Sequence, residues 1–362
     1  MLRAGLIGFP SSGKTALFQL LTSAREAPRG GGKQEANVGV SRVPDERLDK
    51  LTAIFNPRKH VPATVEFADI AGVGGAKTGA AALLDVAAFR NADALLHVVR
   101  MFRDPSIPHP SGSVDPARDV RTMEDELILA DLGVVERRLE RLERDLKKGN
   151  TPELKKEQEI LVRCRAALEE GKALRALDFV GDDGKRLRGF QFLSAKPLLL
   201  VLNLDEEDLP KVDQAVKLAG IESFISGANT RAVPICAKIE LEIAQLDPSD
   251  AQAFMADLGL KESGLDRVIR ASYDLLGYIS FFTVGEDENR AWSIPRNTAA
   301  QLAAGEIHSD IQRGFIRAEV VRYEHLLARG TLAACREHGE LRLEGKEYVV
   351  QDGDVINFRH AT

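Results

Sequence analysis

Apolar residues in this chain gather into short, nearly unbroken runs set between longer stretches of helical spacing. Ala4-Gly5-Leu6-Ile7, Thr64-Val65-Glu66-Phe67-Ala68, Ala94-Leu95-Leu96-His97-Val98-Val99, Pro197-Leu198-Leu199-Leu200-Val201-Leu202 and Ala232-Val233-Pro234-Ile235 are such runs. They read as parallel strands, because a strand covered on both faces loses the alternation of a half-exposed one. His97, inside one of them, reads as a packed core residue. From Asp119 the period changes: Leu127, Val134, Leu139, Leu142 and Leu146 fall at helical spacing and stop at Lys147-Lys148-Gly149-Asn150. Thr151-Pro152 then caps and opens a second helix carrying Leu154, Ile160, Leu161, Ala167 and Leu168. Two charged helices joined by a tight turn predict an antiparallel hairpin inserted over about 119–190.

The pattern changes again at Tyr278. Ile279–Val284 and Ala291–Ile294 are strand candidates around the polar turn Gly285–Arg290, followed by a helical stretch Ala299–Ala304 and a strand Phe315–Val320. Glu347–Phe358 reads as two strands around an Asp-Gly turn. The expectation is an α/β chain, with residues 1–277 forming one domain that carries the hairpin and residues 278–362 forming a small β-grasp domain. The second domain presents no catalytic constellation and reads as a binding module.

Bulk composition narrows this picture only a little. Of 362 residues 44% are hydrophobic and 29% charged, which is the balance of a globular protein, and the net charge is -6. An acidic chain is not expected to be dominated by nucleic-acid contacts. The hairpin departs from that average, with 12 Lys and Arg against 9 Asp and Glu between Glu136 and Arg175. It reads equally as a solvated helix pair or as a basic arm for RNA or a ribosome. Cys164, Cys236 and Cys335 lack disulfide or zinc spacing, which fits a reducing compartment. No apolar run approaches the ~18 residues a membrane span needs, and Gly8 and Pro10 interrupt any leader-like core. A cytoplasmic location without membrane contact is expected.

The chemistry is concentrated where the first strand ends. Gly8-Phe9-Pro10-Ser11-Ser12-Gly13-Lys14-Thr15 has the Gly-x4-Gly-Lys-Thr spacing of a Walker A phosphate loop, followed by the helical Ala16–Leu21. Its glycines let successive N–H groups face phosphate oxygens, with the dipole of the opening helix adding to the attraction. Lys14 brings a point charge to the β- and γ-phosphates, and the Thr15 hydroxyl is suited to Mg²⁺. Pro10 to Ala16 are therefore the expected cradle. Asp69 ends the next strand, with Gly72 three residues on, which is the DxxG pattern of a metal-holding carboxylate and a γ-phosphate sensor. Lys14, Thr15, Asp69 and Gly72 are the expected catalytic set, with Thr15 and Asp69 as metal ligands. Val73 stands where many GTPases place a water-orienting Gln, and no Thr lies between Ala24 and Leu51 to serve a first switch. Slow turnover follows.

Base recognition is expected at the far strands. Asn203-Leu204-Asp205-Glu206 occupies the place of the Asn-Lys-x-Asp guanine clamp, with Leu204 for Lys and Glu206 for Asp, so adenine becomes admissible. Cys236-Ala237-Lys238 matches the Ser-Ala-Lys element beneath the base, and Cys236 reads as a packed or base-proximal residue.

With these elements, Asn37-Val38-Gly39-Val40, Val43-Pro44-Asp45, Gly314–Val321 and Tyr348–Ile356 in view, the chain resembles the YchF / Obg-like ATPase family of P-loop proteins over essentially its whole length. The resemblance implies a Ras-like P-loop domain with an inserted coiled-coil arm and a C-terminal TGS domain of β-grasp fold. It implies preference for ATP over GTP, slow Mg²⁺-dependent hydrolysis, and ribosome binding through the arm and TGS domain in translation or stress regulation. Leu204 would meet the base through its backbone, flanked by Asn203 and Glu206. Ser11 stands where the family has an Asn tied to potassium activation, and Gly32-Lys33 where it has a Cys-Thr pair. K⁺ dependence and redox control are accordingly left open. A nucleotide sensor with negligible hydrolysis and a GTP-preferring GTPase are the alternatives.

Overall fold

A computed structural model describes residues 3–22, 37–69, 86–149, 151–179, 181–227 and 229–361. Twelve strands occur among them in chain order: β1 (Arg3–Ile7), β2 (Asn37–Arg42), β3 (Lys59–Val61), β4 (Thr64–Asp69), β5 (Ala94–Arg100), β6 (Leu198–Asn203), β7 (Thr230–Ile235), β8 (Tyr278–Thr283), β9 (Glu288–Pro295), β10 (Phe315–Arg322), β11 (Arg342–Glu344) and β12 (Asp354–His360). They form two six-stranded sheets.

The first sheet has the order β2-β4-β1-β5-β6-β7, and β4, β1, β5, β6 and β7 run parallel. β5 and β6 are buried at every residue, which is why their sequences read as unbroken apolar runs. Helix α1 (Lys14–Thr22) follows β1. The chain then contributes α2 (Glu46–Phe55), whose N-cap Asp45 accepts from the Arg47 N–H and whose end is closed by Asn56 in the left-handed conformation.

The arm is built from α3 (Pro116–Lys148) and α4 (Pro152–Glu169). Asp115 and Thr151 cap their N-termini, each followed by a proline at the first helical position, where a missing N–H costs nothing. The first turns of α3 place Val120, Met123 and Leu127 in one apolar cluster with Leu95 and Val99 of β5 and Leu198, Leu200 and Leu202 of β6. Farther along, Val135, Leu139 and Leu142 join Ile160, Leu161, Cys164 and Leu168 of α4 in a separate cluster. Arg138 fastens the two helices by donating to both carboxylate oxygens of Glu157, at 2.7 and 2.9 Å. The helix Gly264–Leu275 lies against β5, β6 and β7.

The second sheet has the order β11-β10-β12-β8-β9-β3. Phe281, Ile294, Phe315, Val320 and Phe358 project from it onto Ala300, Ala303 and Ala304 of the helix Ala300–Ile307, so sheet and helix share one core. The expected strand pair Glu347–Phe358 is not a hairpin: only β12 is a strand, flanked by β10 and β8. Residues 348–351 instead brace the loop at 298–300, with Ala300 N donating to Tyr348 O and Val350 N to Thr298 O. The carboxylate of fully buried Asp354 accepts from Tyr348 Oη and Gln351 N, and this turns the chain into β12.

By Cα proximity the chain falls into two units, Met1–Val40 with Glu66–Leu275, and Ser41–Val65 with Leu276–Thr362. β3 is the strand that residues 41–65 lend to the second sheet, parallel to β9.

Candidate functional site: a phosphate loop and base pocket

Parallel strands present their carboxyl ends along one edge, and the loops that follow them there build the site. After β1 comes the loop Gly8–Gly13, whose backbone takes three left-handed values: Gly8 at φ 150°, Ser11 at 62° and Gly13 at 98°. A Cβ on Gly13 would lie 2.3 Å from Asn203 Nδ2, and one on Gly8 2.7 Å from the Val98 carbonyl. Both glycines are required by conformation and by space.

Lys14 Nζ donates to the carbonyls of Gly8 (2.8 Å) and Phe9 (2.7 Å), folding back over the loop it serves. Burial holds its pKa below the ordinary lysine value, and the Asp69 carboxylate opposes that shift. Asp69, buried at the end of β4, is raised above the usual carboxylate range by the same loss of solvent, with Lys14 pulling it back. Beneath them His97 is sealed in β5, its pKa pushed down to about 3 by burial and by the neighbouring Lys14 charge. Neither of its ring nitrogens has a partner among the described residues, so it is a neutral core group. The Thr15 hydroxyl is on an exposed residue at the pocket wall.

Asn203 is the keystone of the opposite wall. Its Nδ2 donates to Ser12 O at 3.0 Å and its Oδ1 accepts from Ala237 N at 3.1 Å, so one buried amide joins the phosphate loop to the loop after β7. Leu204 N donates to Ile235 O at 2.7 Å. Asp205 accepts from Glu206 N through Oδ1 and from Arg103 N through Oδ2. Lys238 Nζ donates to Glu206 Oε2 at 3.1 Å, which raises the lysine pKa. Cys236 is buried, which pushes its thiol up and leaves it unreactive.

These loops enclose a cavity of about 690 Å³. Ser11, Gly13, Lys14, Thr15 and Ala16 line one side, and Asn203, Leu204, Glu206, Cys236, Ala237 and Lys238 another. Of the residues expected in the cradle, Ser12 lies under the loop and offers its carbonyl to Asn203, while Pro10 is exposed outside the cavity lining. Gly72 and Val73, like Gly32 and Lys33, lie outside the described residues.

Sequence reasoning did not anticipate a third wall. Phe102, Arg103, Asp104, Pro105 and Ile107, after β5, complete the cavity. Buried Arg100 shapes this loop by donating to the carbonyls of Phe102, Asp104 and Ile107 and lying 4.4 Å from the centre of the Phe102 ring. The loop's far end is held by His109: Nδ1 accepts from Ser111 N, so Nε2 carries the proton and donates to Asp119 Oδ2 at 2.9 Å. Arg100 at the end of an apolar run, with Phe102 two residues on, was the available clue.

Known proteins are similar to this chain over nearly its whole length. The family model YchF-GTPase_C, described as a protein of unknown function (DUF933), matches residues 278–361, and MMR_HSR1, described as a 50S ribosome-binding GTPase, matches residues 3–137. The Ribosome-binding ATPase YchF of Bacillus subtilis is 44% identical over 99% of both chains, and that of Escherichia coli O157:H7 is 40% identical over 98% of both. The solved YchF GTPase of Schizosaccharomyces pombe superposes with a TM-score of 0.84 at 31% identity, covering 99% of this chain and 97% of that one. With relatives 40 and 44% identical over 98 to 99% of both chains, and a family model matching its C-terminal part, the chain belongs to the YchF family.

Proposed function

We propose that this protein binds ATP in the cavity between the phosphate loop and Asn203–Glu206, hydrolyses it slowly to ADP and phosphate, and acts on the ribosome in the cytoplasm. The observation that carries the reading is the double hydrogen bond of Asn203, which locks the phosphate loop and the base-side loops into one cavity. Relatives named for ribosome binding and for ATP hydrolysis support the partner and the reaction. Others are named GTPases, so the names alone do not choose the base. The pocket favours adenine: Leu204 supplies no lysine over the base and Glu206 replaces the shorter aspartate of a guanine clamp.

Lys14 would exchange its two carbonyl partners for phosphate oxygens. Thr15 and Asp69 are hard oxygen donors, two in number, which suits Mg²⁺, a cation that completes its shell with water and phosphate oxygens. The metal would neutralise charge building on the transferred phosphoryl group. Slow turnover follows from Val73, which offers no hydrogen bond to a water.

Side-by-side calorimetric titration with ATP and GTP, followed by single-turnover assays with and without ribosomes, tests the proposal. Tighter ATP binding and ADP formation are expected. GTP winning the competition would return the site to a conventional GTPase. Tight ATP binding without product in either assay would leave a nucleotide sensor, the reading favoured by the absence of a Thr between Ala24 and Leu51.

A further inference from the structure

The loops that frame the base end of the cavity are joined at three points. Two are buried and lie on the backbone side, Leu204 N to Ile235 O and Asn203 Oδ1 to Ala237 N. The third is the ion pair of Lys238 Nζ with Glu206 Oε2 at 3.1 Å, at the cavity wall, with the two side chains 71% and 49% exposed. Glu206 is steered from its backbone, because its N–H donates to Asp205 Oδ1. Its second oxygen, Oε1, has no partner among the described residues. One oxygen of this cavity-lining carboxylate is therefore committed to an ion pair.

That matters because purines present different edges. Guanine offers two parallel donors, N1–H and the N2 amino group, and a carboxylate grips them with both oxygens. Adenine offers one donor group, the N6 amino group, which needs a single acceptor. A buried or semi-buried donor left without its acceptor is costly, and discrimination by a missing hydrogen bond is the strong kind.

We propose that Lys238 is a specificity-positioning residue: by holding Oε2 of Glu206 it denies guanine the two-oxygen grip and leaves one acceptor for an exocyclic amino group. This deepens the ATP-site reading above and rests on it. An ammonium near the mouth also attracts any triphosphate, but that attraction is the same for ATP and GTP, so only their ratio reports the effect on Glu206. Because the pair is exposed, salt weakens it.

The test is the ratio of GTP to ATP dissociation constants for the full chain, for Lys238→Ala, for Lys238→Arg, and for Lys238→Ala in a Glu206→Gln background, at low and high salt. Lys238→Ala is expected to bring the ratio about tenfold toward GTP, the worth of one charge-assisted hydrogen bond. Lys238→Arg is expected to keep the parent ratio, and the effect of Lys238→Ala is expected to vanish beside Glu206→Gln. Raising salt is expected to move the parent toward GTP and to leave Lys238→Ala unmoved. A ratio within twofold of the parent in Lys238→Ala, with both nucleotides still bound, overturns the role of Lys238 alone. Failure of the parent chain to bind either nucleotide overturns the site itself.

Discussion

At the scale of single residues the site depends on a few buried polar groups with defined partners. Lys14 folds back onto the carbonyls of the loop after β1 and is largely desolvated there. Lys14→Ala is expected to lower ATP affinity at least a hundredfold in calorimetric titration, with the melting temperature kept, because burial disfavours the charge in the free protein. His97 gives a second expectation. Folded, it stays neutral down to about pH 3, whereas an unfolded chain takes up the proton near 6.5. Its contribution is complete above pH 6.5 and drains as pH falls through that window, at up to about 1.4 kcal/mol per unit. Unfolding measured between pH 4 and 7 is expected to lose about one proton's worth of slope in His97→Leu. An unchanged slope would place the proton uptake elsewhere. Glycine and lysine positions of the loop were legible because spacing alone specifies them. The left-handed backbone of Ser11 was not, since it depends on how the loop closes over Asn203, 191 residues after Ser12.

At the scale of elements, strands buried on both edges and faces declare themselves, and so do capped amphipathic helices. β5, β6, α3 and α4 were all visible in the pattern for that reason. The arm holds its own apolar cluster, so its stability is local. Leu161→Ala, at a fully buried position between the helices, is expected to cost about 3 kcal/mol, read as reduced protection of arm amides in hydrogen exchange. ATP affinity is expected to stay within twofold, and a large loss would tie the arm's packing to the pocket. Elements without periodicity escaped notice. β3 and β11 are three residues long, too short to show a period. The loop after β5 has no repeat at all and owes its form to the Arg100 guanidinium. Residues 347–351 carried a strand-like sequence but went to bracing a loop, because the edges of β12 were taken by β10 and β8.

At the scale of the whole molecule, the second unit is not continuous in sequence. It takes in Ser41–Val65, which supplies α2 and β3. Arg47 of α2 donates to Asp45 and to Asp352, and stacks 5.3 Å from the centre of the Phe282 ring. Arg47→Ala is expected to destabilise this unit by about 1–3 kcal/mol, seen as an earlier melting transition, with Lys at the same position restoring little because the fork is lost. Nothing in the sequence marked that excursion, since propensity and period are local and pairing across more than two hundred residues is not.

The detour also imposes an order of manufacture. Leu48 and Leu51 of α2 are buried in the finished fold, but the C-terminal strands and helices of their unit are translated only after about 210 further residues, some ten to forty seconds later at ~5–20 residues per second. Through that interval the nascent chain must shelter the orphaned apolar face of an amphipathic helix, so the moment of greatest exposure to misassembly falls midway through synthesis.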